Sequence, residues 1–173
     1  ALNIAEKRLE AGALGHCGTL DPLATGVLVL VVGKARKIQD LIVRSEKIYD
    51  VTVRFGARSD TDDAEGEIVP TEPAPEPVTA EALEAALEPF RGAIEQVPPT
   101  YSAVKVEGRR MHREARKGRP MEAQPRPVTV HQLDLVGFDW PEARLHLRCS
   151  SGTYARAIAR DLGEALGCAA YTS

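Results

Sequence analysis

One stretch of twelve residues, Gly15-His-Cys-Gly-Thr-Leu-Asp-Pro-Leu-Ala-Thr-Gly26, limits the possible folds of this chain more than any other. It sets a single acid, Asp21, among turn formers and directly before Pro22. A residue that precedes proline is driven out of the α region towards extended backbone. Glycines at 15, 18 and 26 admit geometries closed to other residues. The run Val27-Leu-Val-Leu-Val-Val32 follows without a polar break and stops at Gly33. A short apolar run bounded in this way reads as a buried strand. A carboxylate is therefore expected in a stiff loop at the edge of a core strand, where a catalytic group can be aimed.

The pattern on either side extends the reading. Leu2, Ala5, Leu9 and Ala13 recur at helical spacing up to Gly15. No strand pattern precedes them, so the domain is expected to lack its first strand. Residues 48–55 alternate, with Tyr49, Val51, Val53 and Phe55 on one face, as in a half-buried strand. Residues 60–66 form an acidic, turn-rich loop that does not fit a calcium loop, because Gly66 is misplaced and Ala64 stands where an oxygen ligand is needed. Four prolines in residues 70–77 make a stiff connection. Thr79 is a good N-cap for a helix to about Phe90 that turns Leu83, Leu87 and Phe90 to one side. Pro98-Pro99 breaks the pattern, and a basic helix is expected at about 109–117, stopped by Gly118 and Pro120. Strands at 128–135 and 144–149 lead through Ser150-Ser-Gly-Thr153 into a last helix whose buried stripe is Tyr154, Ala157, Ile158, Leu162 and Ala165. Strands and helices mixed without strict alternation predict an α+β fold.

A length of 173 residues suits one ordinary domain with a real core. With 43% hydrophobic and 27% charged residues the composition is that of a soluble globular protein, and no apolar run nears the roughly 18 residues of a membrane span. Cys17, Cys149 and Cys168 match no zinc spacing; they read as small buried residues of a protein from the reducing cytoplasm. The net charge of −3 conceals a segregation. Residues 60–95 carry eleven acids against Arg91 alone, a balance of −10, so the rest of the chain stands at +7. Seven bases lie within residues 105–119: Lys105, Arg109, Arg110, Arg113, Arg116, Lys117 and Arg119. Such a stripe suits phosphates, or else is a solvated face.

Two familiar motifs fail here. Six residues separate Gly26 from Gly33-Lys34, where a phosphate loop has four, and Ala35 replaces its Ser or Thr. In aspartyl-phosphate enzymes the acid precedes Gly-Thr-Leu, whereas Asp21 follows it. What remains is a carboxylate with an arginine, Arg156, in the first turn of the last helix. A guanidinium can grip a carboxylate through two parallel hydrogen bonds and keep it ionised. Spacing alone favours Arg156 as a surface arginine, Tyr49 as a core aromatic and His16 as a loop histidine bonded to its own backbone.

Residues 15–28 resemble the catalytic motif of the TruB family of tRNA pseudouridine synthases. Three further stretches match that family in the same order. Lys47-Ile48-Tyr49 followed by residues 61–66 resembles its tyrosine-bearing strand; Pro98-Pro99-Thr100-Tyr101-Ser102-Ala103-Val104-Lys105 with residues 108–118 resembles its RNA-clasping insertion; Ser150-Ser151-Gly152-Thr153-Tyr154-Ala155-Arg156 with Asp161-Leu162-Gly163 resembles its arginine motif.

The resemblance implies a mixed, largely antiparallel sheet with flanking helices and a helical RNA-clasping insertion at 98–120. Residues 1–173 would be the catalytic domain without its N-terminal strand, that strand's Lys-Pro motif, and the C-terminal RNA-binding domain. It implies isomerisation of uridine to pseudouridine at position 55 in the T arm of tRNA. Asp21 would be the nucleophile, Tyr49 would stack on the base and serve as general base, Arg156 would pair with Asp21, and His16 would hold the flipped nucleotide. Lys105, Arg109, Arg110, Arg113 and Arg116 would grip the RNA. Nothing is oxidised and no water is consumed in this reaction, so neither cofactor nor metal is expected. A carboxylate can add to C6 of the base or to C1′ of the ribose, or the base can leave through a glycal; the target must be flipped out of its stack to be reached. The expected partner is the T-arm stem-loop, met by a cytoplasmic monomer with no membrane and no protein partner. Two rival implications are a guide-RNA-dependent relative and a catalytically silent RNA-binding module.

Overall fold

The computed structural model describes residues 2–9, 12–121 and 123–173, which form two compact units, Ala1–Glu46 and Lys47–Ser173. The division falls at the start of the alternating strand, where a long-range sheet replaces local turns.

In the first unit, helix α1 (Leu2–Leu9) is followed by β1 (Leu14–His16), β2 (Leu30–Val32), a 3₁₀ segment (Gly33–Ile38) and α2 (Gln39–Val43). Residues 10 and 11 of the expected helical repeat lie outside the described residues; Ala13, its last member, is not helical and has a φ of 61°. The six-residue apolar run is not a buried strand. Only residues 30–32 pair, antiparallel with β1, and only Val31 is buried, while Val27 is 89% exposed. A run of apolar residues records what a strand could bury. Among the described residues of this unit β2 pairs with β1 alone, and one side chain in six is buried.

The second unit opens with β3 (Lys47–Phe55), β4 (Ala57–Ser59) and β5 (Ile68–Pro70), then α3 (Ala80–Leu87), β6 (Gly92–Gln96), β7 (Lys105–Val106), β8 (Arg109–Arg110) and α4 (Met111–Ala115). It closes with β9 (Arg126–Asp139), β10 (Glu142–Cys149), α5 (Ala155–Ala165) and β11 (Ala170–Thr172). Five strands form an antiparallel sheet in the order β11-β3-β10-β9-β6. The architecture is thus the expected α+β one, with a largely antiparallel sheet.

The core lies on one face of that sheet. The alternation of β3 puts Val53 and Phe55 inside, with Tyr49 and Val51 partly buried beside them. Leu145 and Leu147 of β10 and Val130 and Leu133 of β9 join them, and Leu83 and Leu87 of α3 and Ile158 and Leu162 of α5 cover them. The Thr79 side chain accepts a hydrogen bond from Ala82 N at 3.2 Å, capping α3 as its sequence predicts. All three cysteines are buried, as expected.

Two further expectations are revised. On α5 the buried stripe includes Arg156, Ala159 and Gly163, whereas Ala165 is exposed. A Cβ on Gly163 would stand 2.3 Å from Ala170 N, so β11 crosses where only glycine leaves room. The basic helix is confined to residues 111–115, because Arg109 and Arg110 pair with Lys105 and Val106 as a strand. Glu107 and Gly108 at the turn both have positive φ, 50° and 77°. That is the backbone of a tight two-residue hairpin.

Candidate active site

Asp21 sits in the loop that joins β1 to β2. The ladder continues one step beyond β1, where Cys17 N donates to Val29 O at 2.9 Å, and closes the neck of the loop. Within it, Ala24 N donates to Asp21 O at 2.9 Å. This makes Asp21 the first residue of a β-turn with Pro22 second, the position where a fixed φ is pre-set. Gly18 and Gly26, at φ of 143° and 135°, supply the bends on either side. Gly15 serves a different purpose from the one expected: its backbone lies against Gln39, whose Oε1 would be 2.4 Å from a Cβ. Gln39 Nε2 in turn donates to His16 O at 2.8 Å. His16 Nδ1 is hydrogen-bonded to Gly18 O, and since a carbonyl only accepts, Nδ1 carries a proton and Nε2 is left to face a ligand.

In the second unit Arg156 is buried and its partners come from far along the chain. Nη1 donates to Thr61 O at 2.7 Å and pairs with Asp63 Oδ2 at 3.2 Å; Nη2 reaches Tyr101 O at 3.4 Å. Asp63 is buried as well and accepts from Thr61 Oγ1 at 2.6 Å and from Glu65 N at 3.1 Å. One turn further along α5, Arg160 Nη1 meets Asp62 Oδ2 at 3.0 Å, Nη2 donates to Val97 O at 2.9 Å, and Nε donates to Asp161 Oδ1 at 2.8 Å. Burial lifts the Asp62 carboxyl from 3.8 to about 6, against the opposing pull of Arg160 and then Arg156. Burial likewise raises Asp161, again opposed by Arg160.

The start of α5 is fixed by side chains of the preceding turn and of β6. Buried Gln96 makes a reciprocal pair with the Tyr154 backbone, and Ser150 Oγ accepts from Thr129 N at 2.9 Å. These bonds set the direction in which Arg156 leaves the helix. Tyr49 lies half-buried on the inner face of β3, with Leu147 as its cross-strand partner.

Around β7, β8 and α4, Lys105, Arg109, Arg110 and Arg113 line a recess of about 350 Å³ together with Lys117. Arg116, at the end of α4, does not line it, though it too is exposed. Lys117 donates to Glu114 at 2.9 Å, and that bond holds the Glu114 carboxyl below its usual range. Buried Met111 and Ala115 anchor the helix and leave the cations to solvent.

The structure therefore gathers Arg156 with Asp63 and Asp62 in the second unit and gathers four of the five predicted RNA-gripping bases around one recess. Asp21 and His16 belong to the first unit. Asp62, Asp63, Arg160 and Gln96 were missed by sequence reasoning. For the aspartates a signal existed, since they sit in the motif stretch at 61–66, but nothing in spacing tied them to arginines more than 90 residues away.

The model of the TruB family pseudouridylate synthase N-terminal domain matches residues 6–155. A tRNA pseudouridine synthase B from Azoarcus sp. strain BH72 is 44% identical over 99% of this chain and 56% of its own length. One from Xanthomonas campestris pv. campestris strain B100 is 48% identical over 99% of this chain and 55% of its own. The chain thus spans about half the length of these relatives. Among solved structures, a chain of a Cbf5-Nop10-Gar1 complex has the same fold, with a TM-score of 0.74 at 23% identity over 99% of this chain and 41% of that one.

Proposed function

Because the chain belongs to the TruB family of pseudouridylate synthases, we propose that it carries the catalytic centre for isomerising uridine to pseudouridine in tRNA, at position 55 of the T arm. The observation that carries this reading is the family match over residues 6–155, which takes in the Asp21 loop, Tyr49 and the basic recess and ends next to Arg156. Relatives named tRNA pseudouridine synthase B support tRNA as the substrate.

In this reading Asp21 is the nucleophile. It forms the first bond at C6 or at C1′, or assists departure of the base through a glycal; in each case one difficult exchange at C1′ is divided into easier steps. The Asp21-Pro22 turn restricts the carboxylate before substrate arrives, so little ordering remains for the reaction itself. Arg156 supplies a buried cation to the same chemistry. Tyr49 presents a ring for stacking on the flipped base and a phenolic oxygen for taking a proton. His16 contacts the nucleotide. The recess lined by Lys105, Arg109, Arg110 and Arg113 takes backbone phosphates, with Arg116 beside it.

The test is turnover of an unmodified T-arm stem-loop without guide RNA, followed by mass spectrometry or tritium release. Asp21→Asn is expected to lower the rate by roughly 10³-fold or more while RNA affinity stays within a factor of three. Turnover near that of the parent would remove Asp21 from its role, and a requirement for guide RNA would move the chain to the guide-dependent class.

A further inference from the structure

Arg156 and Arg160 stand four residues apart on α5, one above the other on the same face. Each takes one carboxylate of the adjacent pair Asp62-Asp63 and one carbonyl of the segment 97–101. Arg156 holds Asp63 and Tyr101 O; Arg160 holds Asp62 and Val97 O. The two side chains thus rivet the acidic loop and the root of the 98–120 insertion to one helix. The loop is also tied to β11, since Thr172 N donates to Asp62 O at 3.1 Å. Asp62 has a φ of 60°, a left-handed conformation that aspartate tolerates better than most residues and that these bonds hold in place.

We propose that Arg160 and Asp62 are positioning residues, an outer clamp that fixes segment 97–101 and the acidic loop so that Arg156 and the basic insertion are held ready for RNA. Neither residue need touch substrate. The inference rests on the proposed activity only for its kinetic readout; the clamp itself can be measured without it.

The charges around Asp62 separate this role from simple support of the fold. Arg160, Arg156 and Asp161 are the charged groups acting on it, and burial outweighs the two arginines. A carboxyl whose folded value is raised contributes stability that is present below about 3.8 and lost as pH rises through about 6. Above that value the ionised Asp62 therefore costs the fold something, yet only the ionised form makes the full bond to Arg160. Clamping and global stability run in opposite directions with pH. A residue kept for stability alone would not behave so.

The experiment uses the full chain and the variants Asp62→Asn, Arg160→Gln and Arg160→Lys at pH 7.5. Hydrogen exchange of amides 97–105 is expected to quicken about tenfold in Asp62→Asn and Arg160→Gln as the clamp opens locally. Arg160→Lys, which keeps one charged donor, is expected to restore part of the protection. On T-arm RNA, kcat is expected to fall about tenfold in Asp62→Asn with KM within threefold, from misplacement of groups that do act. The thermal midpoint of Asp62→Asn should equal or exceed that of the parent at pH 7.5. Unchanged exchange in both Asp62→Asn and Arg160→Gln overturns the inference whatever the activity; so does a loss of kcat that merely follows a loss of stability. An inactive parent with clamp-dependent exchange would instead overturn the proposed function and leave the clamp standing.

Discussion

Gln96 binds the Tyr154 backbone in both directions: its Nε2 donates to Tyr154 O at 3.1 Å, and Tyr154 N donates to its Oε1 at 2.8 Å. One buried amide thus satisfies a donor and an acceptor at the residue that caps α5, two positions before Arg156. An edge strand, β6, is in this way coupled to the helix that carries the arginines.

Truncating Gln96→Ala leaves the half-buried Tyr154 N unpaired and strips one of two bonds from Tyr154 O, which still accepts from Ile158 N at 3.2 Å. A cost of about 1–3 kcal/mol follows from one orphaned donor and one weakened acceptor. Chemical denaturation should record that loss, and kcat on T-arm RNA should fall by more than KM rises. Gln96→Glu, which keeps the acceptor for Tyr154 N, is expected to lie between parent and Ala. If Gln96→Ala unfolds at the parent's denaturant concentration, the clamp on α5 has no energetic weight.

Gly163 makes a sharper case. A Cβ there would meet Ala170 N at 2.3 Å and Ala169 C at 2.4 Å, backbone atoms that move only if β11 moves. Gly163→Ala is predicted to destabilise by about 3 kcal/mol or more, at the upper end for overpacking, despite the usual helical gain from Gly to Ala. The exposed neighbour Glu164→Ala should change stability by less than about 0.5 kcal/mol. Thermal unfolding of the pair decides the matter; equal midpoints would mean that β11 does not press on Gly163.

How far residues speak for themselves depends on how local their reasons are. The β3 alternation, the Thr79 cap and the Leu83–Leu87 stripe are set by neighbours within a few positions, and all three are legible. The apolar run at 27–32 misleads because hydrophobicity records a capacity for burial and not the neighbour that would provide it. The β7–β8 hairpin was within reach: Gly108 between Val106 and Arg109 is a turn signal that the density of arginines obscured. The partners of Arg156 and Arg160 were not, since guanidinium and carboxylate meet only after β3, β10 and β11 have brought α5 to the acidic loop.

The basic recess predicts a salt effect. Arg113 lies within α4 and Arg116 caps its end, and both are exposed, so replacing them should leave the fold intact. Arg113→Gln with Arg116→Gln is expected to weaken binding of matched and unmatched RNA alike, and to reduce the slope of log affinity against log salt by about 1 for each lost phosphate contact. Filter binding from 50 to 300 mM salt (about the range in which such slopes are linear) gives the slope directly. An unchanged slope would make the stripe a solvated face.

Tyr49 separates packing from chemistry most cleanly. Its ring lies half-buried on the inner face of β3 opposite Leu147, so Tyr49→Phe preserves what the core sees and should alter stability by less than about 1 kcal/mol. The ring also keeps its stacking surface, and RNA affinity should stay within threefold. Only the phenolic oxygen is lost. If that oxygen takes a proton during the exchange from N1 to C5, the rate falls by about 10²–10⁴, the usual weight of a placed general base. Tyr49→Leu, which loses the aromatic face too, should then raise KM as well as lower kcat. Single-turnover rates on T-arm RNA distinguish the two roles: a Phe variant as fast as the parent assigns Tyr49 to stacking alone, and the proton must then go to another group.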